Sequence, residues 1–296
     1  MRNKKNSLYY HAMMLPGMIL LVIFSIVPMF GIVMAFQKYL PAKGIFGSKF
    51  VGMYNFNLLL MYPQAKQVFI NTLVIATSKI VLGIVVPVIF AIMMNEVTSL
   101  RYKRAVQTVV YLPNFLSWVI LAIMFTNIFS YNGMVNRLTG LFGISPKMFM
   151  VSNDSFRSII IWTDVWKTFG YGAIVYLSAI TSIDPNLYEA AAIDGCNRWN
   201  KIIHVVLPAM TPTIILMTTL SIGNVLNAGF DQVYNMYSPL VYETGDIIDT
   251  YVYRMGLQNL QYGFATAVGL LKSVVSFILL STAYWLAKKL AGYSLF

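Results

Sequence analysis

The chain is 296 residues long, 58% hydrophobic and only 10% charged, whereas about a quarter of the residues in an ordinary soluble domain carry charge. Its net charge of +11 comes from Lys and Arg spread beside apolar runs rather than gathered in a stripe, which argues against a nucleic-acid surface and for membrane orientation. The single cysteine, Cys196, excludes an intrachain disulfide, and neither it nor the two histidines, His11 and His204, has the neighbours of a metal site or a catalytic triad.

Six apolar runs are each long enough to cross a bilayer as a helix: 13–36, 72–94, 106–129, 158–180, 207–226 and 264–287. The first follows Arg2, Lys4 and Lys5, exceeds the apolar core of a signal peptide and ends without a small-residue cleavage site, so it is expected to remain as an anchor. The second is interrupted by Lys79, for which the sequence offers no role. The third is read as one continuous span with Trp118 near its middle, where the indole either faces a passing solute or packs in the bundle. The fourth carries Trp162, Asp164, Trp166 and Lys167. The i, i+3 spacing predicts an Asp164 to Lys167 pair, and the two indoles fit either an interfacial belt or a sugar platform.

The fifth run holds Thr218, Ser221 and Asn224, and Asn227 extends the last two into a stripe at i, i+3, i+6 that continues to Asp231 and Gln232. Amides in a span are costly unless they face a cavity or another helix. The stripe therefore reads as a polar solute path, with interhelical bonding as the alternative. In the sixth run Lys272 is expected to face the bundle or a partner rather than lipid.

Charge sets the orientation. With the N-terminus inside, segments 1–11, 95–105, 181–206 and 288–296 hold ten Lys and Arg, and the longer segments 37–71, 130–157 and 227–263 hold eight in far more residues. The positive-inside rule then places both termini in the cytoplasm. Segment 227–263 also contains Asp231, Glu243, Asp246 and Asp249, an acidic set suited to docking an external protein or a partner subunit. No linker divides the chain, so one membrane domain over 12–287 is expected between the N-terminal segment 1–11 and the C-terminal tail 288–296.

The loop 182–208 contains a short helix in its local chemistry. Asp184 is a good N-cap and Pro185 suits the first helical position. Ala190, Ala191 and Ala192 favour helix with almost no side chain, and Gly195 can take the left-handed turn that ends it. Tyr188, Glu189 and Asp194 stand at its edges. These features alone fit either an unremarkable capped helix or a docking element.

Glu189-Ala190-Ala191, followed by Gly195, Ile203 and Leu207-Pro208, resembles the Glu-Ala-Ala loop of permease subunits of bacterial binding-protein-dependent ABC importers. Leu15-Pro16-Gly17, Pro28-Met29-Phe30-Gly31, Val51-Gly52-Met53-Tyr54-Asn55-Phe56, Asn71-Thr72-Leu73 and Tyr111-Leu112-Pro113 are similar to sugar-type permeases. Ile247-Ile248-Asp249-Thr250-Tyr251-Val252-Tyr253, Ala265-Thr266-Ala267-Val268-Gly269 and the tail Gly292-Tyr293-Ser294-Leu295-Phe296 are similar to the polysaccharide and oligosaccharide subfamily. Cys196 departs from the pattern, which often has Ala there.

The resemblance implies an all-α membrane protein of six transmembrane helices with the type I ABC importer permease fold, in a bacterial cell membrane. It implies a coupling helix in which Glu189, Ala190, Ala191, Asp194 and Gly195, with Tyr188 beside them, meet an ATPase. It further implies a second homologous permease in a heterodimer, two ABC ATPase subunits, a lipid-anchored or periplasmic solute-binding protein, and an oligosaccharide or polysaccharide solute. The chain itself would be a transport subunit, not an enzyme, with no bound cofactor; ATP and Mg would sit on the ATPases. The closest approach to a P-loop, Gly269-Leu270-Leu271-Lys272-Ser273, lacks the Gly before Lys and lies in an apolar run. A secondary transporter or channel is the rival reading, but it calls for more spans or more intramembrane carboxylates than Asp164 alone.

Overall fold

The computed structural model describes residues 4–291. Arg2 and the 292–296 motif lie outside the described residues, as do the side chains of Lys4, Lys5 and Lys288.

In chain order, α1 (Lys4–Leu21) runs on through helical turns to Phe36, and a two-stranded antiparallel ribbon of β1 (Gln37–Lys38) and β2 (Lys49–Phe50) follows. Next come α2 (Tyr54–Met61), α3 (Pro63–Asn95), α4 (Leu100–Tyr111), α5 (Trp118–Ile128), α6 (Met134–Gly140) and α7 (Asn153–Thr181). The chain continues with α8 (Pro185–Ile193), α9 (Leu207–Ile222), α10 (Phe230–Met236), α11 (Ile248–Tyr253) and α12 (Tyr262–Ala291).

Among the described residues, four stretches are long and apolar enough to cross a membrane: Tyr9–Phe36, Pro63–Asn95, Arg198–Ile222 and Tyr262–Trp285. The third apolar run is not the continuous span its sequence suggests. It is broken between Phe115 and Trp118, and its halves meet at 103°, the geometry of a broken span or a re-entrant loop; counted as one span, the pair brings the candidates to five. The helix α7 is long enough, at 29 residues, but Arg157, Asp164 and Lys167 dilute its apolarity.

Two of the π turns among the described residues lie just ahead of a proline. One spans Val22–Ile26 ahead of Pro28, the other Ile202–Val206 ahead of Pro208. A proline ring clashes with the carbonyl four residues back, and widening the preceding turn relieves that clash without ending the helix.

Two compact units are present, one formed by the chain up to Pro63 with Tyr251–Leu271, the other by Gln64–Thr250 with the chain from Lys272 onward. In the first, Asn55 Nδ2 donates to the carbonyls of Ala35 and Gln37, tying α2 to the ribbon. Gly263 packs so tightly there that a Cβ would lie 2.4 Å from the Gln37 carbonyl oxygen.

In the second unit, α3 buries Val68, Asn71, Thr72, Ile75, Ala76, Pro87, Val88, Ala91 and Met94. This i, i+3, i+4 stripe faces α7 and its neighbours. One apolar cluster joins Ile75, Leu121, Phe125, Phe156, Ile160, Val233 and Ile247, and another joins Ala91, Tyr176, Ile180, Ile183 and Met210. Gly170 lets α7 meet α4 at backbone distance, since a Cβ there would lie 2.4 Å from the Val110 oxygen.

Lys167 does not pair with Asp164. Its Nζ donates to the Asn114 and Leu116 carbonyls at 3.1 and 2.8 Å and stands 5.4 Å from the Trp118 ring centre. The break between α4 and α5 frees these backbone acceptors, and the lysine satisfies them.

The acidic set of segment 227–263 is also partly engaged within the chain. Asp246 is buried and accepts from Thr250, Asp249 pairs with Lys272, and Glu243 accepts from Asn153. Asp231 remains exposed. Glu243 is exposed as well, so two of the four acidic residues stay open to the docking role expected from the sequence, while Asp246 and Asp249 are taken up within the chain.

Candidate functional site

Lys79 lies on the packed stripe of α3, one turn after Ile75 and Ala76. A charged group at that depth needs partners, and three converge on it. Its Nζ donates to the Ala228 carbonyl at 2.7 Å and to Gln232 Oε1, and it faces Asp164 Oδ1 at 3.5 Å. Gln232 is fully buried and anchored in turn, donating to the Ile160 carbonyl and Thr163 Oγ1, both at 2.8 Å.

These groups border a cavity of about 260 Å³ lined by Ala76, Lys79, Ile80, Gly83, Asp164, Ser221, Asn224, Asn227, Ala228 and Gly229. The stripe Ser221, Asn224 and Asn227 thus shares one cavity, although α9 ends at Ile222 and the two asparagines sit in the turns that follow. Asn227 Nδ2 donates to Asn224 Oδ1 at 3.2 Å, and its Oδ1 accepts from Lys272 at 2.8 Å. Gly229 closes the break with φ +93°, and a Cβ on it would lie 3.0 Å from Lys79 Nζ. Glycine here serves both the backbone turn and the approach of the lysine.

The other predicted path residues lie elsewhere. Trp118 is half-buried beneath Lys167, and Trp166 packs edge-on against Phe125. Trp162 is exposed, as is Asp231 in the first turn of α10. Gln232 supports the cavity from behind rather than lining it. Sequence reasoning missed Lys79. Its signal was position, a lysine in register with α3's buried face, and its carboxylate partner was wrongly assigned to Lys167.

A second feature is α8. Asp184 Oδ1 accepts from the Asn186 N–H at 3.0 Å, with Pro185 at the first helical position. At the other end Gly195 takes φ +72°, while Cys196 N–H bonds the Ala191 carbonyl and Gly195 N–H the Ala192 carbonyl. That is a complete Schellman stop. Ala191 faces inward and Tyr188 packs against the apolar cluster of Tyr176 and Ile180. Burial, aided by the negative charge of Glu96, raises the Tyr188 pKa, so its hydroxyl stays protonated at neutral pH. Glu189, Ala190, Asp194 and Gly195 point outward. Two apolar side chains join them, Leu187 and Ile193, the latter 86% exposed. Sequence reasoning passed over both because leucine and isoleucine in a membrane protein carry little signal by themselves.

The chain's residues 83–292 match the family model described as binding-protein-dependent transport system inner membrane component. It is 40% identical over 282 residues to the polygalacturonan/rhamnogalacturonan transport system permease protein YteP of Bacillus subtilis (strain 168), covering 95% of this chain and 88% of that one. It resembles a solved bacterial ABC transporter involved in import of the acidic polysaccharide alginate, with TM-score 0.90, 38% identity and 97% of each chain covered. A structure of the bacterial alginate ABC transporter in complex with alginate pentasaccharide-bound periplasmic protein matches with TM-score 0.90 and 37% identity, covering 99% of this chain and 98% of that one.

Proposed function

The chain belongs to the binding-protein-dependent transport system inner membrane component family, and we propose that it is one of two different permeases forming the path of an oligosaccharide or polysaccharide importer. A solute-binding protein outside the cell delivers the sugar, and two separate ATPase subunits holding ATP and Mg drive the cycle. The chain crosses a bacterial cell membrane six times, with α7 as the sixth crossing and both termini in the cytoplasm. The Lys and Arg asymmetry supports that orientation.

The observation that carries this reading is α8, a short rigid helix capped at both ends that turns Leu187, Glu189, Ala190, Ile193 and Asp194 away from its own chain. No covalent chemistry is required of a permease. It couples two equilibria, ATPases open or closed and cavity facing in or out. A helix fixed to α7 at Ser182 and to α9 through the turn at Gly195 transmits a push, whereas a frayed loop would absorb it.

The test is transport by membrane vesicles carrying the chain with its partner subunits. Glu189→Arg reverses a charge on the exposed edge, and Gly195→Val puts a β-branched residue at positive φ. Both variants are expected to insert normally yet lose ATP-driven sugar uptake by about ten-fold or more, equivalent to about 1.4 kcal/mol of coupling. Undiminished uptake removes α8 from the joint. Uptake by the isolated chain without ATP removes the importer assignment altogether.

A further inference from the structure

We propose that the cavity beside Lys79 is a carboxylate subsite, and that the solute is an acidic saccharide whose sugar carboxylate is received by the Lys79 ammonium in place of Asp164. This rests on the saccharide reading and adds a charge to it.

The argument begins with the three protons of the ammonium group. Two are directed at neutral oxygens, the Ala228 carbonyl and Gln232 Oε1. These hold the nitrogen in place without neutralising it. The one carboxylate at hand, Asp164, stands 3.5 Å away, outside the 2.7–2.9 Å or so of a strong charge-assisted bond. Lys79 is therefore fixed in position and ion-paired with Asp164, but at longer than full contact. A carboxylate entering the cavity at full contact gains more from it than Asp164 does.

The surroundings fit such an entry. The Asp164 side chain is 23% exposed and the Lys79 side chain 9%, so the aspartate has room to turn while the lysine does not. Ser221, Asn224 and Asn227 line the same wall and offer hydroxyl and amide groups to the rest of a sugar ring. A neutral sugar needs only those groups. An ionised lysine held in a membrane helix is costly, and an apolar pair of similar volume packs as well or better, so packing gives no reason for its charge. At about 260 Å³ the cavity falls just below the range of about 300–1,000 Å³ common for small-molecule sites, room for one sugar unit at a time.

The test uses the transporter purified with its partner permease and ATPases but without the binding protein, so that selectivity belongs to the membrane path. Equilibrium dialysis measures binding of trigalacturonate and of its carboxyl-reduced, neutral counterpart. The wild type is expected to favour the acid by about ten-fold or more. Asp164→Asn removes the competing carboxylate and is expected to tighten trigalacturonate several-fold with the neutral ligand unchanged. Lys79→Met combined with Asp164→Asn strands no charge and is expected to bring the two ligands within roughly two-fold of each other.

Equal binding of acid and neutral sugar by the wild type overturns the carboxylate subsite and leaves the saccharide importer standing. Binding of neither overturns the cavity as a sugar site. A double variant that keeps the acid preference also overturns the proposal. Should the double variant fail to insert, weaker trigalacturonate binding by Asp164→Asn does the same.

Discussion

At the scale of single residues, Gln232 teaches the most. Its sequence position suggests the far end of a solute-facing stripe, yet it is the side chain that holds Lys79 in place. Its amide spends both ends inside the protein, on Ile160, Thr163 and Lys79. Gln232→Leu preserves bulk but takes an acceptor from a buried ammonium and a donor from a buried hydroxyl. Unmaking such bonds costs about 1–3 kcal/mol, so the detergent-solubilised protein should melt at a lower temperature. A melting temperature equal to wild type would mean that water replaces the amide there and that Lys79 is not fixed as described. The same residue marks the limit of sequence reading at this scale. Sequence spacing identified Ser221, Asn224 and Asn227 as companions, and they share a cavity. It gave no hint that Gln232 would turn inward to meet a residue 153 positions earlier.

At the scale of elements, what sequence reveals depends on whether an element's causes lie within it. The cap, first-turn proline, alanines and stop of α8 are contiguous, and its bounds follow from them. The break between α4 and α5 has distant causes. Leu116 and Ser117 are extended, and Ser117 Oγ caps α5 by accepting from the Ile120 N–H. The carbonyls released there are satisfied by Lys167, 51 residues beyond Leu116. An apolar run read locally therefore looks unbroken. The lysine's role predicts its own test. Lys167→Met keeps the stem that packs along α7 but leaves the Asn114 and Leu116 oxygens without that donor, a loss of about 1–3 kcal/mol. Thermal unfolding in detergent should register it. If the variant is as stable as wild type, the break is held by Ser117 and Pro113 alone.

At the scale of the whole molecule, burial shows how much the chain leaves to others. Within the most apolar window of Tyr9–Phe36 only 6% of residues are buried by the chain itself, against 28% in Tyr262–Trp285. Lipid can cover such a helix, but it cannot form the far wall of a polar path. The cavity at Lys79 has room for one sugar unit, so a saccharide of several units needs a second subunit to enclose it. Under the proposed function that subunit is a different permease. Native mass spectrometry of the complex, extracted with its neighbours intact, is therefore expected to show one copy of this chain, one copy of a second permease and two ATPase subunits. Two copies of this chain around the ATPases would sink the heterodimer. They would also double the Lys79 site across a two-fold axis, giving the path two equivalent cationic steps where the heterodimer has one from this chain.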